Sequence, residues 1–324
     1  VRSFSCPECG NVLFFENSSC VVCGTEVGYL RSARAMVRAA ARCANAELAG
    51  CNWVPAADGE LCGCCALTRT RPADSDPAGL ATFATAEAAK RRLLHQLDDL
   101  GLDSGGVTFD LLSSSESPVT TGHATGVITL DVAEGDDAHR EQLRAQLDEP
   151  YRTVLGHFRH EIGHYFWEQL VRDDPDAFRE LFGDERADYQ EALKEHYAGP
   201  PPEGWQEDYV STYATAHPWE DWAETFAHLL HIRDTVQTAA AFGVLVAGTP
   251  IAPHPDTPVD ALPRDHLPFT ELIDTWVPLS RAANQLNRSM GKDDLYPFVL
   301  SPAVLTKLSF VDGLVRSGQD REQG

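Results

Sequence analysis

Two histidines four residues apart flank a glutamate in H-E-I-G-H, His160 to His164. On a helix, positions i and i+4 share a face, so both imidazoles can reach one metal ion. Glu161 lies one step round, where it can take a proton from a water on that metal. A catalytic metal needs a third protein ligand and one position left open. The best candidate lies further on, in H-P-W-E-D-W-A-E-T-F-A-H, where Glu220 and Glu224 are again i and i+4. One of the two can bind the metal while the other accepts the N–H of a ligand histidine and fixes its tautomer. Trp219, Trp222 and Phe226 beside them mark a buried helix, whose carboxylates need partners. Ala223 and Ala227 let that helix pack closely on the first. His228 and His231 could compete as ligands. Tyr213, seven residues before Glu220, could bring a phenol hydroxyl to the open side of the metal and hold an oxyanion; the competing reading is a boundary tyrosine. His157 has no glutamate beside it and reads as packing or as support for the ligands.

All nine cysteines lie between Cys6 and Cys65. C-P-E-C-G at 6–10 and C-V-V-C-G at 20–24 are matching hooks, each giving two thiolates from one tight turn. Cys6, Cys9, Cys20 and Cys23 therefore suit a tetrahedral structural zinc. Cys62 and Cys65 make a third C-x-x-C, and with Cys43 and Cys51 they can complete a second four-cysteine site. Cys64 is left over. Arg31, Arg34, Arg38 and Arg42 recur at spacings of one helical face. That face reads as solvated or resting on an acidic surface, with a small nucleic-acid or partner patch as the alternative.

The elements that must carry these groups are mostly helical. The spacing predicts helices over 84–97, from Asp148-Glu149-Pro150 through 170, and over 184–197, 218–240, 270–288 and 301–316. Strands are expected only at 106–112 and 126–132, the second edging the cleft, where an extended peptide could add as a further strand. Pro218 and Pro302 open their helices in first position. The break in cysteine content, followed by P-A-D-S-D-P-A-G at 72–79, divides a zinc-ribbon domain at 1–72 from a second domain at 73–324.

Charge and hydropathy exclude several classes. The chain has 324 residues, 26 basic and 49 acidic, for a net charge of −23. Residues 1–72 hold seven arginines against six acids, so the acidity belongs to the remainder. A body this acidic repels phosphate backbones, so nucleic-acid binding is not expected. No apolar run is long enough to span a bilayer, and V-R-S-F-S-C lacks the apolar core of a secretory signal. A cytoplasmic protein is the expectation, and cysteines in that compartment favour metal over disulfide.

H-E-I-G-H-Y-F-W followed by Y-A-x-x-x-P-W-E-D-W-A-E-T-F-A resembles the gluzincin metallopeptidases. More narrowly, R-C-A-N-A-E-L-A-G-C-N-W, T-G-H-A-T-G-V-I-T-L, L-F-G-D-E-R-A-D-Y and N-R-S-M-G-K-D-D-L-Y-P-F-V-L resemble the bacterial family of putative zinc-binding metallopeptidases with an N-terminal zinc ribbon. The Tyr-to-Glu spacing is also similar to that of lethal-factor-like and Pro-Pro endopeptidases. The resemblance implies an α+β, mostly helical, zincin-like domain with a small sheet. It implies His160, His164 and Glu220 as zinc ligands, Glu161 as base, Glu224 behind a ligand histidine and Tyr213 as oxyanion donor. The resulting expectation is a peptidase with one catalytic and one or two structural zinc ions. It cleaves peptide bonds with a zinc-bound water and Glu161 as general base, and the ribbon is open to a protein partner. The alternatives are a catalytically silent interaction protein and a protease guided to nucleic-acid-bound proteins by the Arg31–Arg42 face.

Overall fold

The computed structural model describes residues 2–115, 117–136, 153–244, 246 and 267–322. The cysteine segment opens with two small antiparallel hairpins. The first pairs β1 (Phe4–Ser5) with β2 (Val12–Leu13), and the second pairs β3 (Val27–Leu30) with β4 (Ala35–Arg38). Gly10 and Gly24 follow the first two C-x-x-C hooks with φ of +74° and +72°. Each amide bonds back to the carbonyl of the first cysteine of its hook at 2.9 Å, a turn that only glycine enters without strain. The expected arginine helix does not form. Arg31–Ala33 is a single 3-10 turn, Arg34 sits in the left-handed region at φ +48°, and Arg38 ends β4. Tyr29 pairs with Met36 and Leu30 with Ala35 across this hairpin, and Arg31 and Arg34 lie in its turn.

The main sheet has the order β5-β6-β8-β7, with β5 (Thr68–Thr70), β6 (Thr108–Leu112), β7 (Gly122–Ala124) and β8 (Val127–Asp131). β5 and β6 are parallel and are joined over the sheet by helix α1 (Pro77–Asp99), the crossover that a parallel pair requires. Asp76 caps α1 by accepting the Gly79 amide at 2.9 Å, so the helix starts seven residues before the expected 84. β8 pairs with β6 on one side and β7 on the other. The 126–132 segment is therefore interior, not the edge, and β7, hidden in a Ser/Thr/Gly-rich stretch, is the edge strand on that side. Phe109, Leu111, Ile128 and Leu130 are fully buried, in one core with Phe83, Leu93, Leu94 and Leu97 of α1.

The remaining helices are α2 (Val154–Leu170), α3 (Asp176–Phe182), α4 (Tyr189–Ala198), α5 (Pro218–Ala241), α6 (Phe269–Ser289) and α7 (Pro302–Glu322). Thr153 caps α2, its hydroxyl accepting the Gly156 amide at 2.9 Å. The start expected at Asp148 to Pro150 lies outside the described residues. The helix expected at 184–197 begins only at Tyr189, where Asp188 supplies the cap, because Gly183 at φ +100° has just ended α3. α5 begins as expected with Pro218 in its first turn, and His217 Nδ1 accepts the Trp219 amide. Lys307 of α7 reaches Asp221 of α5 at 2.6 Å. Among the described residues no helix is long and apolar enough to cross a membrane.

Candidate active site

The cysteines come together in two quartets. Cys6 and Cys23 have sulfurs 3.7 Å apart, and Cys9 and Cys20 3.6 Å. In the second quartet Cys51 lies 3.6 Å from both Cys62 and Cys65, with Cys43 completing the set. Four thiolates about 2.3 Å from a tetrahedral zinc stand about 3.8 Å apart, whereas a disulfide needs about 2.0 Å. Both quartets fit zinc, and all nine cysteines are free. Cys64 lies outside the second quartet, and burial pushes its thiol up to about 12.

α2 and α5 build the third cluster. They cross at Gly163, where an added Cβ would stand 3.1 Å from Ala223 Cα and 3.2 Å from Phe226 Cβ. That contact brings the H-E-x-x-H face of α2 to the first turns of α5. Nε2 of His160 is 3.0 Å from Oε2 of Glu220, Nε2 of His164 is 3.5 Å from the same oxygen, and the two nitrogens are 3.2 Å apart. Ligands about 2.0–2.1 Å from a tetrahedral zinc are about 3.4 Å from one another, so the triangle has the size of one face of such a site. Glu220 Oε2 is also buried with no hydrogen-bond partner among the described residues. An orphaned carboxylate oxygen aimed at two imidazole nitrogens is the signature of a cation site.

The second oxygen of Glu220 is held separately: Tyr189 donates its hydroxyl to Oε1 at 2.6 Å. His160 contacts Glu224 Oε1 through Nδ1 at 2.8 Å, which turns Nε2 toward the triangle. Ser211 donates to the other Glu224 oxygen at 2.6 Å. Burial works against ionisation throughout, but the contacts outweigh it. Glu220 is held well below the usual carboxylate range by His160 and His164, Glu224 is held at about 2 by His160, and His160 is raised well above the ordinary imidazole value by both carboxylates. Glu161 is buried, and its Oε2 has no partner among the described residues. Tyr213 opens a short 3-10 turn with its ring 5.7 Å from that of His160, and burial pushes its hydroxyl far above the ordinary tyrosine value. His228 and His231 stay outside the triangle.

A cleft of about 590 Å³ opens over this cluster, with His160, Glu161, Tyr213, Trp205, Tyr209 and Phe298 among its walls. Behind it, Arg159 bonds Gln96 of α1 at 3.1 Å and Asp234 of α5 at 2.6 Å, and Gln96 donates to the Leu230 carbonyl at 2.5 Å. The residue before the first ligand is thereby tied to two other helices. Tyr189, Ser211 and Arg159 are the supporting residues that the sequence reading did not pick out. Tyr189 lies in the D-E-R-A-D-Y block, and its only local signal is the capping Asp188 before it.

A mostly helical α+β body with a His-His-Glu cluster in a cleft, preceded by cysteine quartets on knuckle hairpins, defines a zinc-binding protein with a zinc-ribbon N-terminus. The chain belongs to the family described as "Putative zinc-binding metallo-peptidase", matched over residues 79–314, and residues 3–42 match a zinc-ribbon domain. It is similar to uncharacterized proteins of Mycobacterium tuberculosis and Mycobacterium bovis. Each is 52% identical over 333 residues, which covers 97% of this chain and 95% of the relative. No solved structure matches the chain.

Proposed function

We propose that the protein is a zinc-dependent peptidase that hydrolyses peptide bonds with Glu161 as general base. His160, His164 and Glu220 hold the catalytic ion, and the two cysteine quartets hold one structural ion each. The observation that carries the reading is the pair of buried, orphaned carboxylate oxygens, Glu220 Oε2 in the ligand triangle and Glu161 Oε2, with Glu161 and His160 lining an open cleft. A zinc ion held there supplies Lewis acidity, polarising a scissile carbonyl and lowering the pKa of a water toward about 7. Glu161 accepts the proton of the attacking water and delivers it to the leaving amine. Tyr213 donates its hydroxyl to the oxygen that gains charge. Glu224 keeps His160 in one tautomer, and Tyr189 keeps Glu220 in one orientation. The substrate is an extended peptide, and β7, the edge strand beside β8, offers it backbone groups for strand addition. Residues 1–72 act as a zinc-stapled domain open to a protein partner, and the protein works in the cytoplasm.

The test is cleavage of a mixed peptide library by the zinc-loaded protein beside its Glu161→Gln variant. Cleavage by the first and none by the second, at equal zinc content, is the expected result. Equal activity in both removes Glu161 from the mechanism, and no cleavage by either refutes the peptidase reading.

A further inference from the structure

Beyond the ligand cluster the cleft continues along the N-terminal half of α2 and the middle of α5, where Thr153, Gly156, His157, Ala227, His228 and Phe298 line it. His157 stands one helical turn before Glu161, on the same side of α2. Its ring is pinned from behind. Nδ1 contacts Oε2 of Glu134, a carboxylate only 3% exposed, and the Thr121 hydroxyl donates to the other Glu134 oxygen at 3.2 Å. A carboxylate can only accept, so Nδ1 donates to Glu134 and Nε2 is the nitrogen left for another partner. Nε2 has no partner among the described residues and is not sealed from solvent. His228 lines the same cleft. Its Nδ1 is 2.7 Å from the Tyr296 hydroxyl, and its ring stands edge-on to Phe298 at 4.4 Å. Neutralising a buried Glu134 requires only Nδ1 of His157; it does not require the ring to line the cleft with its second nitrogen open to it.

We propose that His157 sets substrate specificity. Its Nε2 forms a hydrogen bond with the polar side chain of a peptide residue next to the scissile bond. The pocket therefore selects hydrogen-bonding residues such as Gln and Thr over apolar residues of similar size. Trp205 and Tyr209 give flat walls for the stem of such a side chain, and Glu134 is the positioning residue behind the ring. A pocket built around a hydrogen bond rejects the analogue that lacks it more sharply than an apolar pocket rejects one methylene, because the ring nitrogen is left unpaired. This assignment rests on the peptidase reading.

The experiment gives one mixed library of synthetic peptides to the zinc-loaded protein and to its His157→Phe and Glu134→Gln variants. Cut sites are read by mass spectrometry, and zinc content and Tm are measured on each protein. The wild-type protein is expected to prefer Gln over Met, or Thr over Val, by about tenfold or more at one position beside the cut. His157→Phe keeps zinc and cleavage but loses that preference at that position alone. Glu134→Gln keeps the shape behind the ring, so it also reads the answer should the first variant not fold, and it lowers the preference several-fold. A preference unchanged in a folded variant, with only Tm lowered, makes His157 a structural partner of Glu134 and overturns the assignment. An apolar preference in the wild-type protein overturns it too. A wild-type protein that cuts no peptide, and so cannot be told from Glu161→Gln, refutes the peptidase reading itself.

Discussion

Gly163→Ala probes whether the approach of two helices sets the metal site. The added Cβ would meet Ala223 Cα at 3.1 Å, Phe226 Cβ at 3.2 Å and the Ala223 carbonyl oxygen at 3.3 Å. Ordinary carbon contacts lie at about 3.5–4.0 Å, so α5 must retreat by roughly half an ångström. All three atoms belong to the α5 backbone or are first side-chain atoms, so no rotamer change relieves the contact. Overpacking of this kind costs about 1–3 kcal/mol. Replacing glycine inside a helix returns about 1 kcal/mol. The net loss of stability is therefore small, about 0–2 kcal/mol. The effect on the metal is larger. Glu220 rides on α5 and His160 and His164 on α2, with donor atoms 3.0–3.5 Å apart, whereas metal–ligand distances tolerate about 0.2 Å. A tenfold or greater loss of zinc affinity at the third site is expected, with both cysteine quartets unaffected. The assay is zinc content after titration with a chelator, alongside Tm. A variant that keeps all its zinc and gains the full helix stabilisation would refute the reasoning, because α2 and α5 would then have room to spare.

Four further outcomes follow from the same geometry. Tyr189→Phe removes the hydroxyl donated to Glu220 and should weaken zinc binding at the third site by about 10–100-fold; unchanged affinity makes that hydrogen bond incidental. Tyr213→Phe should lower kcat by about 10²–10³ at normal zinc content, and a near-neutral rate would assign the oxyanion to another donor. Elemental analysis of protein never exposed to chelator should give up to three zinc ions per chain. A chelator should take the His160/His164/Glu220 ion first, since that site keeps an open position, and one metal or fewer at the outset sinks the count. Burial holds His95 at about 4, below the ordinary 6.5, so the unfolded chain binds its proton first as pH falls. Its contribution to stability is intact above about 6.5 and is lost between there and about 4, roughly 3 kcal/mol. Denaturant midpoints should therefore fall less steeply over that range in His95→Gln, and equal slopes would remove His95 from the account.

The parts of the site that share a local period were legible in the sequence, and the parts joined across the chain were not. His160 with His164, and Glu220 with Glu224, are i,i+4 pairs on helices, the second of which Pro218 announces in its first turn. Tyr189 and Glu220 are 31 residues apart and Ser211 and Glu224 are 13 apart, and no periodicity links either pair. The arginine spacing failed for a related reason. Positions three and four apart look helical until one of them, Arg34, is found to be the left-handed residue of a hairpin turn. The edge strand was missed because β7 is three residues long and reads Gly-His-Ala, with no alternation to show.

α1 shows the same limit from the opposite side. Its polar residues looked like the solvated face of an amphipathic helix, yet Glu87, Lys90, Arg91, His95, Gln96 and Asp99 are all buried. The cysteine segment covers them. His95 Nδ1 meets the Tyr29 hydroxyl at 2.9 Å, Arg31 holds Asp98 at 2.7 Å, Arg2 pairs with Asp99, and Glu87 lies 3.6 Å from the sulfur of Cys65. Next to these residues, Gln96 turns the other way, to α5 and Arg159. Apolar side chains would bury as well and would slide more freely. Charged and hydrogen-bonding groups are costly unless each finds its partner, so this face accepts the ribbon in one orientation. The last turns of α1, from Glu87 to Asp99, thus present polar groups that look like surface in isolation and become an interface once a second, metal-stapled segment supplies the matching charges.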